Sequence, residues 1–86
     1  MRHGCRVSVI IPAHNEEASI GHVLGDMPYW VDDVIVADND STDGTRLAAE
    51  AHGARVVHEP RRGYGSACLR AMRELRDPDI VVFIDA

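Results

Sequence analysis

Four short runs of β-branched residues alternate with three helix-period apolar stripes, and nothing else in the chain limits its possible folds so tightly. Val7-Ser8-Val9-Ile10-Ile11 is an apolar-rich run that reads as a buried strand stopped by Pro12. Ile20, Val23, Leu24 and Met27 then fall at i, i+3, i+4 and i+7, one face of a helix. Asn15 is its expected N-cap, Glu16 and Glu17 suit the positive end of the helix dipole, and Gly25 with Pro28 marks the exit. Val34-Ile35-Val36-Ala37 predicts a second strand. A helix follows with Leu47, Ala48 and Ala51 inward, begun at Ser41, Thr42 or Asp43 and closed by Gly53. Arg55-Val56-Val57-His58 predicts a third strand. Cys68, Ala71, Met72 and Leu75 form the last stripe, ended before Asp77-Pro78, and Ile80-Val81-Val82-Phe83-Ile84 predicts the fourth strand. A βαβαβαβ order implies an α/β fold, a Rossmann-like three-layer α/β sandwich built on a parallel four-stranded sheet. Right-handed crossovers favour the sheet order 3-2-1-4.

At 86 residues the chain holds one domain at most. Nine Lys and Arg stand against 14 Asp and Glu, a net charge of −5, which argues against nucleic acid as the partner because neutralising phosphates needs a basic surface. No apolar run approaches the roughly 20 residues that span a bilayer, and the basic start, residues 1–6, lacks a signal-peptide core. Cys5 and Cys68 are too few to staple a small fold, which points to a reduced, cytoplasmic chain. The five histidines show neither HxxxH nor HExxH spacing, so zinc is not expected. Only Asp85 and Ala86 follow the fourth strand, so residues 1–86 are expected to be a single partial domain, the first half of something larger.

Ligands of open parallel sheets bind outside the carboxyl ends of the strands. That rim receives Pro12-Ala13-His14-Asn15-Glu16-Glu17 after strand 1 and Asp38-Asn39-Asp40-Ser41-Thr42-Asp43-Gly44 after strand 2. After strand 3 it receives Glu59-Pro60-Arg61-Arg62-Gly63-Tyr64-Gly65, and after strand 4, Asp85. Carboxylates suit divalent ions and sugar hydroxyls, and arginines suit phosphate oxygens. The mixture points to a nucleotide-sugar or other diphosphate ligand held with Mg²⁺ or Mn²⁺. The opposite edge, with Asp32-Asp33 and Asp77-Pro78-Asp79, reads as ordinary turn chemistry. Each rim group also has a plainer reading: a helix cap for Asn15 and Glu16, a turn for residues 38–44, a solvated pair for Arg61-Arg62. Tyr64 could stack on a ligand or cover the sheet, Cys68 belongs to the core, and Tyr29 and Trp30 pack a loop against the sheet edge.

The run from Val7 to Glu17 resembles the opening of the family 2 glycosyltransferases, which have the GT-A fold. Ala37-Asp38-Asn39-Asp40-Ser41-Thr42-Asp43-Gly44-Thr45 resembles their second signature and Arg62-Gly63-Tyr64-Gly65-Ser66-Ala67 their third. Phe83-Ile84-Asp85-Ala86 resembles the start of their Asp-x-Asp metal motif. The four segments stand in the family's order over nearly the whole chain, with polyprenyl-phosphate sugar transferases of the dolichol-phosphate mannose synthase type among the most similar. The resemblance implies the N-terminal, nucleotide-sugar-binding half of a GT-A domain. Pro12 and Ala13 would line the base or ribose pocket beside Asn15, and Glu16 would accept a hydrogen bond from the nucleoside. Asp38 and Asn39 would read the base edge. Arg61 and Arg62 would sit near the diphosphate, with Gly63 and Gly65 admitting the backbone. Asp85 would be the metal carboxylate, the ion being Mg²⁺ or Mn²⁺.

Two departures from the family pattern carry expectations of their own. Many members have Asp-Asp-Gly-Ser where this chain has Asp38-Asn39-Asp40-Ser41, which leaves the donor base open. The second Asp of the metal motif and the general base would both follow Ala86, so the chain looks truncated and no catalytic residue is assigned within it. An acceptor of the polyprenyl-phosphate type would put the protein at the cytoplasmic membrane face. The rival readings are a dinucleotide-binding Rossmann module, from Gly63-Tyr64-Gly65-Ser66-Ala67-Cys68, and a non-catalytic fragment that self-associates through residues 80–84. The first suffers because its glycines follow strand 3 instead of strand 1. Gly44-Thr45-Arg46-Leu47 has the letters of a nucleotidyltransferase loop but follows strand 2, where chance explains it better.

Overall fold

The computed structural model of the chain describes residues 3–86. Its elements are β1 (Val7–Ala13), α1 (Glu17–Gly25), β2 (Asp33–Asp38), α2 (Thr45–Ala51), β3 (Arg55–His58), α3 (Tyr64–Met72) and β4 (Ile80–Phe83). The strands form one parallel sheet in the order β3-β2-β1-β4, as the alternating pattern predicts. Alternate residues of the two central strands face opposite layers. Val9, Ile11, Ala13 and Val36 pack with Ile20, Leu24 and Ala49 from α1 and α2, whereas Ile10, Ile35 and Ala37 pack with Ala67 and Ala71 of α3. Each fully buried Ile or Val contributes about 1.5–3 kcal/mol, so most of the stabilisation sits in β1 and β2.

β1 runs through Pro12 instead of stopping there. Even-numbered residues of this strand turn their main-chain groups toward β4: the Arg6 carbonyl accepts from Ile80 and the Ile10 carbonyl from Ile84. The β4 ladder ends at the Ile10–Phe83 pair, so the donor that Pro12 lacks falls beyond the last rung. β4 itself lies at the edge, with Ile80, Val82 and Phe83 between 38% and 45% exposed.

Three helix expectations change. Asn15 does not cap α1; it adopts a left-handed φ of +52° and turns its side chain to the next loop. In α2 the inward residues are Thr45 and Ala49, with Ala48 half-buried, while Leu47 is 70% exposed and Ala51 faces solvent. The cause is contact with α1: a Cβ on Gly21 would come within 2.9 Å of the His52 ring, so only small residues fit between the two helices. In α3, Met72 is exposed and the helix ends there, leaving Leu75 to cover the core from the following turn. Trp30 packs beside Cys5, Val7, Ile80 and Val82, but its neighbour Tyr29 is almost wholly exposed.

The edge of the sheet at the amino ends of the strands is held by the expected turn carboxylates. Asp32 accepts from the Val7 N–H at 2.8 Å and Asp79 from the Arg6 N–H at 2.7 Å. Arg55 donates to both oxygens of Asp33 and to the Glu74 carbonyl, which ties β3, β2 and the turn after α3 together.

Candidate functional site

Ala13 pairs with Asp38 and Asp38 with His58, so β1, β2 and β3 finish level and three crossover loops share one rim. The first two loops are sewn to each other. Asn15 N–H donates to Ser41 Oγ at 2.9 Å, and Asn15 Oδ1 accepts from the Thr42 N–H at 2.8 Å. Glu16 N–H donates to Thr45 Oγ1 at 2.9 Å and Glu17 N–H to Asp43 Oδ2 at 3.3 Å; the Gly44 N–H donates back to Glu17 Oε1 at 3.1 Å. These bonds serve the first-turn donors of α1 that no side-chain cap of its own covers. Asp43 also accepts from the Thr45 hydroxyl and, at 3.0 Å, from the Thr45 N–H. The hydroxyl bond in particular holds the Asp43 carboxyl below the usual aspartate range.

Asn39 ties in the third loop. Its side chain is 5% exposed as a residue and fully engaged with main chain: Nδ2 donates to the Glu59 carbonyl at 2.9 Å and the Arg61 carbonyl at 2.7 Å, and Oδ1 accepts from the Gly63 N–H at 2.8 Å. The amide expected to read a base edge therefore braces the β3–α3 turn, because both its donor hydrogens face carbonyls of that turn. Gly63 has φ +136°, a conformation that residues with a Cβ rarely adopt, which explains the glycine. His14 completes the network. The Thr42 donor fixes Asn15 Oδ1, so Asn15 Nδ2 donates to His14 Nε2 at 3.1 Å; Nδ1 then carries the ring hydrogen and donates to the Asn39 carbonyl at 2.8 Å.

Between this turn and β1 lies a cavity of about 200 Å³ lined by Pro12, Ala13, His14, Asn39, Arg62, Gly63, Tyr64 and Ala67. Five residues singled out from the sequence converge here: Pro12, Ala13, Asn39, Arg62 and Gly63. Arg61 contributes its carbonyl to the Asn39 brace, while the neighbouring Arg62 reaches the cavity. Asp38, 6% exposed, opens on a separate cavity toward α2, lined with Ser41, Asp43, Arg46, Leu47 and His58. Asn15 and Glu16 line neither; Asn15 ties loops and Glu16 accepts from the Ser19 hydroxyl at 3.1 Å. His14 was not singled out in the sequence, where its only signal is its place directly after Pro12-Ala13.

Asp85 follows β4 on the α3 side of the rim. It lies near enough to Tyr64 and Cys68 for its charge to push both groups upward, after the larger effect of burial on each. Among the described residues no three His, Cys, Asp or Glu side chains form a ready cation cage. A lone carboxylate at a strand end still fits Mg²⁺ or Mn²⁺ bound together with a diphosphate, since such ions take one or two carboxylates and fill the rest of their shell with phosphate oxygens and water.

Comparison with known proteins bears on this rim. The family model described as Glycosyl transferase family 2 matches residues 8–86. An uncharacterized glycosyltransferase of Mycobacterium tuberculosis (strain ATCC 25618 / H37Rv) is 46% identical over 83 residues, covering 96% of this chain and 37% of its own length. Protein RfbJ of Shigella flexneri is 36% identical over 87 residues, covering 99% of this chain and 67% of its own. A crystal structure of glucosyl-3-phosphoglycerate synthase from Mycobacterium tuberculosis, in complex with Mn²⁺, uridine-diphosphate-glucose and glycerol 3-phosphate, superposes with a TM-score of 0.85 at 41% identity, covering 95% of this chain and 34% of that one. The chain thus spans little more than a third of the length of the uncharacterized relative and of the synthase. A family model that matches nearly every residue, relatives above 30% identity and a superposable fold agree, and the chain belongs to glycosyl transferase family 2.

Proposed function

We propose that this chain supplies the nucleotide-sugar-binding part of a metal-assisted glycosyltransferase that takes its sugar from a nucleoside diphosphate, with UDP favoured as the nucleotide. The observation that carries the reading is the convergence of Pro12, Ala13, Arg62 and Gly63 on one rim cavity. The relative crystallised with Mn²⁺ and uridine-diphosphate-glucose supports the donor and the ion. Pro12 and Ala13 offer a small apolar floor for a base or ribose. Asp38 and Glu16 remain the candidates for nucleoside hydrogen bonds. Arg62 would meet diphosphate oxygens, and Asp85 would hold Mg²⁺ or Mn²⁺, which supplies charge neutralisation for the leaving diphosphate when bound.

The acceptor carries a phosphate in this reading. Phosphoglycerate-like acceptors are supported by the synthase, and polyprenyl phosphate by the motif resemblance, which would place the protein at the cytoplasmic membrane face. No helix among the described residues is long and apolar enough to cross a membrane. The open edge of β4 further supports pairing with a second copy through residues 80–84 wherever nothing else covers it. Light scattering that shows a strictly monomeric mass at all concentrations would overturn that pairing.

The test is calorimetric titration of UDP, GDP and NAD with and without Mn²⁺. Mn²⁺-dependent UDP or GDP binding is expected, weakened about tenfold or more by Arg62→Ala, as loss of a charge-assisted bond implies. Binding of NAD in preference to either, or nucleotide binding unchanged in Arg62→Ala, Asp38→Ala and Asp85→Ala alike, refutes the assignment. Radiolabelled sugar transfer to 3-phosphoglycerate and to a polyprenyl phosphate separates the two acceptor classes.

A further inference from the structure

We infer that Asn39 is a positioning residue that sets the β3–α3 turn and thereby aims Arg62 at the diphosphate. The inference rests on the nucleotide-sugar reading of the rim and assigns Asn39 a role different from base recognition. Three observations converge on it. The Asn39 amide uses both donor hydrogens and one acceptor on three successive parts of the turn, the Glu59 carbonyl, the Arg61 carbonyl and the Gly63 N–H. Two of these bonds, to the Arg61 carbonyl and the Gly63 N–H, bracket Arg62, which lines the cavity beside Pro12 and Ala13. Gly63 sits at φ +136°, a conformation accessible to glycine in many loop shapes, so something outside the turn must select this one.

The turn has one brace of its own, the Arg61 N–H to Glu59 Oε2 bond at 2.8 Å, but that bond lies on the near side of Arg62; on the far side the Gly63 carbonyl accepts the first helical bond from Ala67 at 3.1 Å, and its N–H is held by Asn39. Asn39 is in turn held from behind. Its N–H donates to the Ala13 carbonyl at 2.8 Å and its carbonyl accepts from His14 Nδ1, so the brace is anchored to the strand that forms the cavity floor. One residue thus ties the turn that carries the arginine to the strand that forms the floor. An aspartate in this position keeps the acceptor for Gly63 and loses both donors, setting a carboxylate against two carbonyls.

The experiment compares Asn39→Asp, Asn39→Ala, Arg62→Ala and the double variant Asn39→Asp/Arg62→Ala, with Val36→Ala as a core-weakened control away from the cavity. Affinities for UDP and for uridine, both with Mn²⁺, are measured below every unfolding transition. If Asn39 acts through Arg62, Asn39→Asp and Arg62→Ala each lower UDP affinity about tenfold, the double variant loses no more than either alone, and uridine affinity stays unchanged. Val36→Ala leaves both affinities as they were. Additive losses, or equal losses for UDP and uridine, overturn the inference. Amide hydrogen exchange gives a readout that needs no ligand: Asn39→Ala should speed exchange at Gly63 at least tenfold while Ile35 in the central ladder is unaffected, and unchanged exchange at Gly63 overturns the brace. Failure of the unsubstituted protein to bind any nucleoside diphosphate would instead sink the nucleotide-sugar reading, with the exchange result still deciding whether Asn39 sets the turn.

Discussion

Ser8 offers a test of the packing described above. It lies at the centre of the sheet, in register with Asp33 on one side and Val81 on the other, and it is wholly buried. Its hydroxyl is the one buried side-chain polar atom among the described residues with no hydrogen-bond partner. A hydroxyl stripped of water and left unbonded costs about 1–3 kcal/mol. Replacing it with hydrogen in Ser8→Ala removes that cost and leaves only a gap the size of one oxygen, so a net gain of about 1 kcal/mol is expected. For a chain of this length that corresponds to a rise in Tm of about 4–8 °C. Ser8→Val should move the other way, because one methyl takes the place of the hydroxyl and a second is added, which overpacks a closed site at a cost of about 1–3 kcal/mol. Thermal unfolding followed by circular dichroism, supported by calorimetry, reads both. If Ser8→Ala melts at or below the parent temperature, the hydroxyl is bonded and the accounting is wrong.

The pH dependence of stability has a defined sign. Asp43 has its carboxyl lowered below the ordinary value of 3.8, chiefly by the Thr45 hydroxyl, and Glu74 is lowered below 4.5, chiefly by Arg70. Both contribute stability that is present above those unfolded values and is lost as pH falls through the lower folded ones. Asp43→Asn and Thr45→Val should therefore each flatten the acid side of a Tm–pH curve; curves parallel to the parent below about pH 4 would refute the Asp43 share. The cysteines should differ in reactivity. Cys68 is buried and its thiol is pushed up, first by burial, so iodoacetamide should modify half-exposed Cys5 well before Cys68, as mass spectrometry of the partly labelled chain would show. Faster labelling of Cys68 would contradict its place in the core.

The architecture was legible because it rests on local patterns. The runs Val7-Ser8-Val9-Ile10-Ile11 and Val34-Ile35-Val36-Ala37 can be buried on both faces only in a covered parallel sheet, and the spacing of Ile20 and Leu24 admits only a helix laid against it. What was not legible depends on contacts between loops distant in the chain. The start of α2 is decided by the Glu17–Gly44 and Asp43–Thr45 bonds, and its inward face by the Gly21–His52 approach, so the apolar letters Leu47 and Ala51 misled. The rim could be located from strand ends, and Pro12, Ala13, Arg62 and Gly63 lie around one cavity there. The direction of the Asn39 amide could not, because it follows from the shape of a turn 20 residues further along.

Thr42, Asn15, His14 and Asn39 form an unbroken series of hydrogen bonds that ends on Gly63. Three connections that look separate on paper are therefore a single part in three dimensions. Transplanting one of them from a relative would sever a link that its neighbours rely upon, so exchanges of donor preference between such proteins should succeed only when all three segments travel as a set.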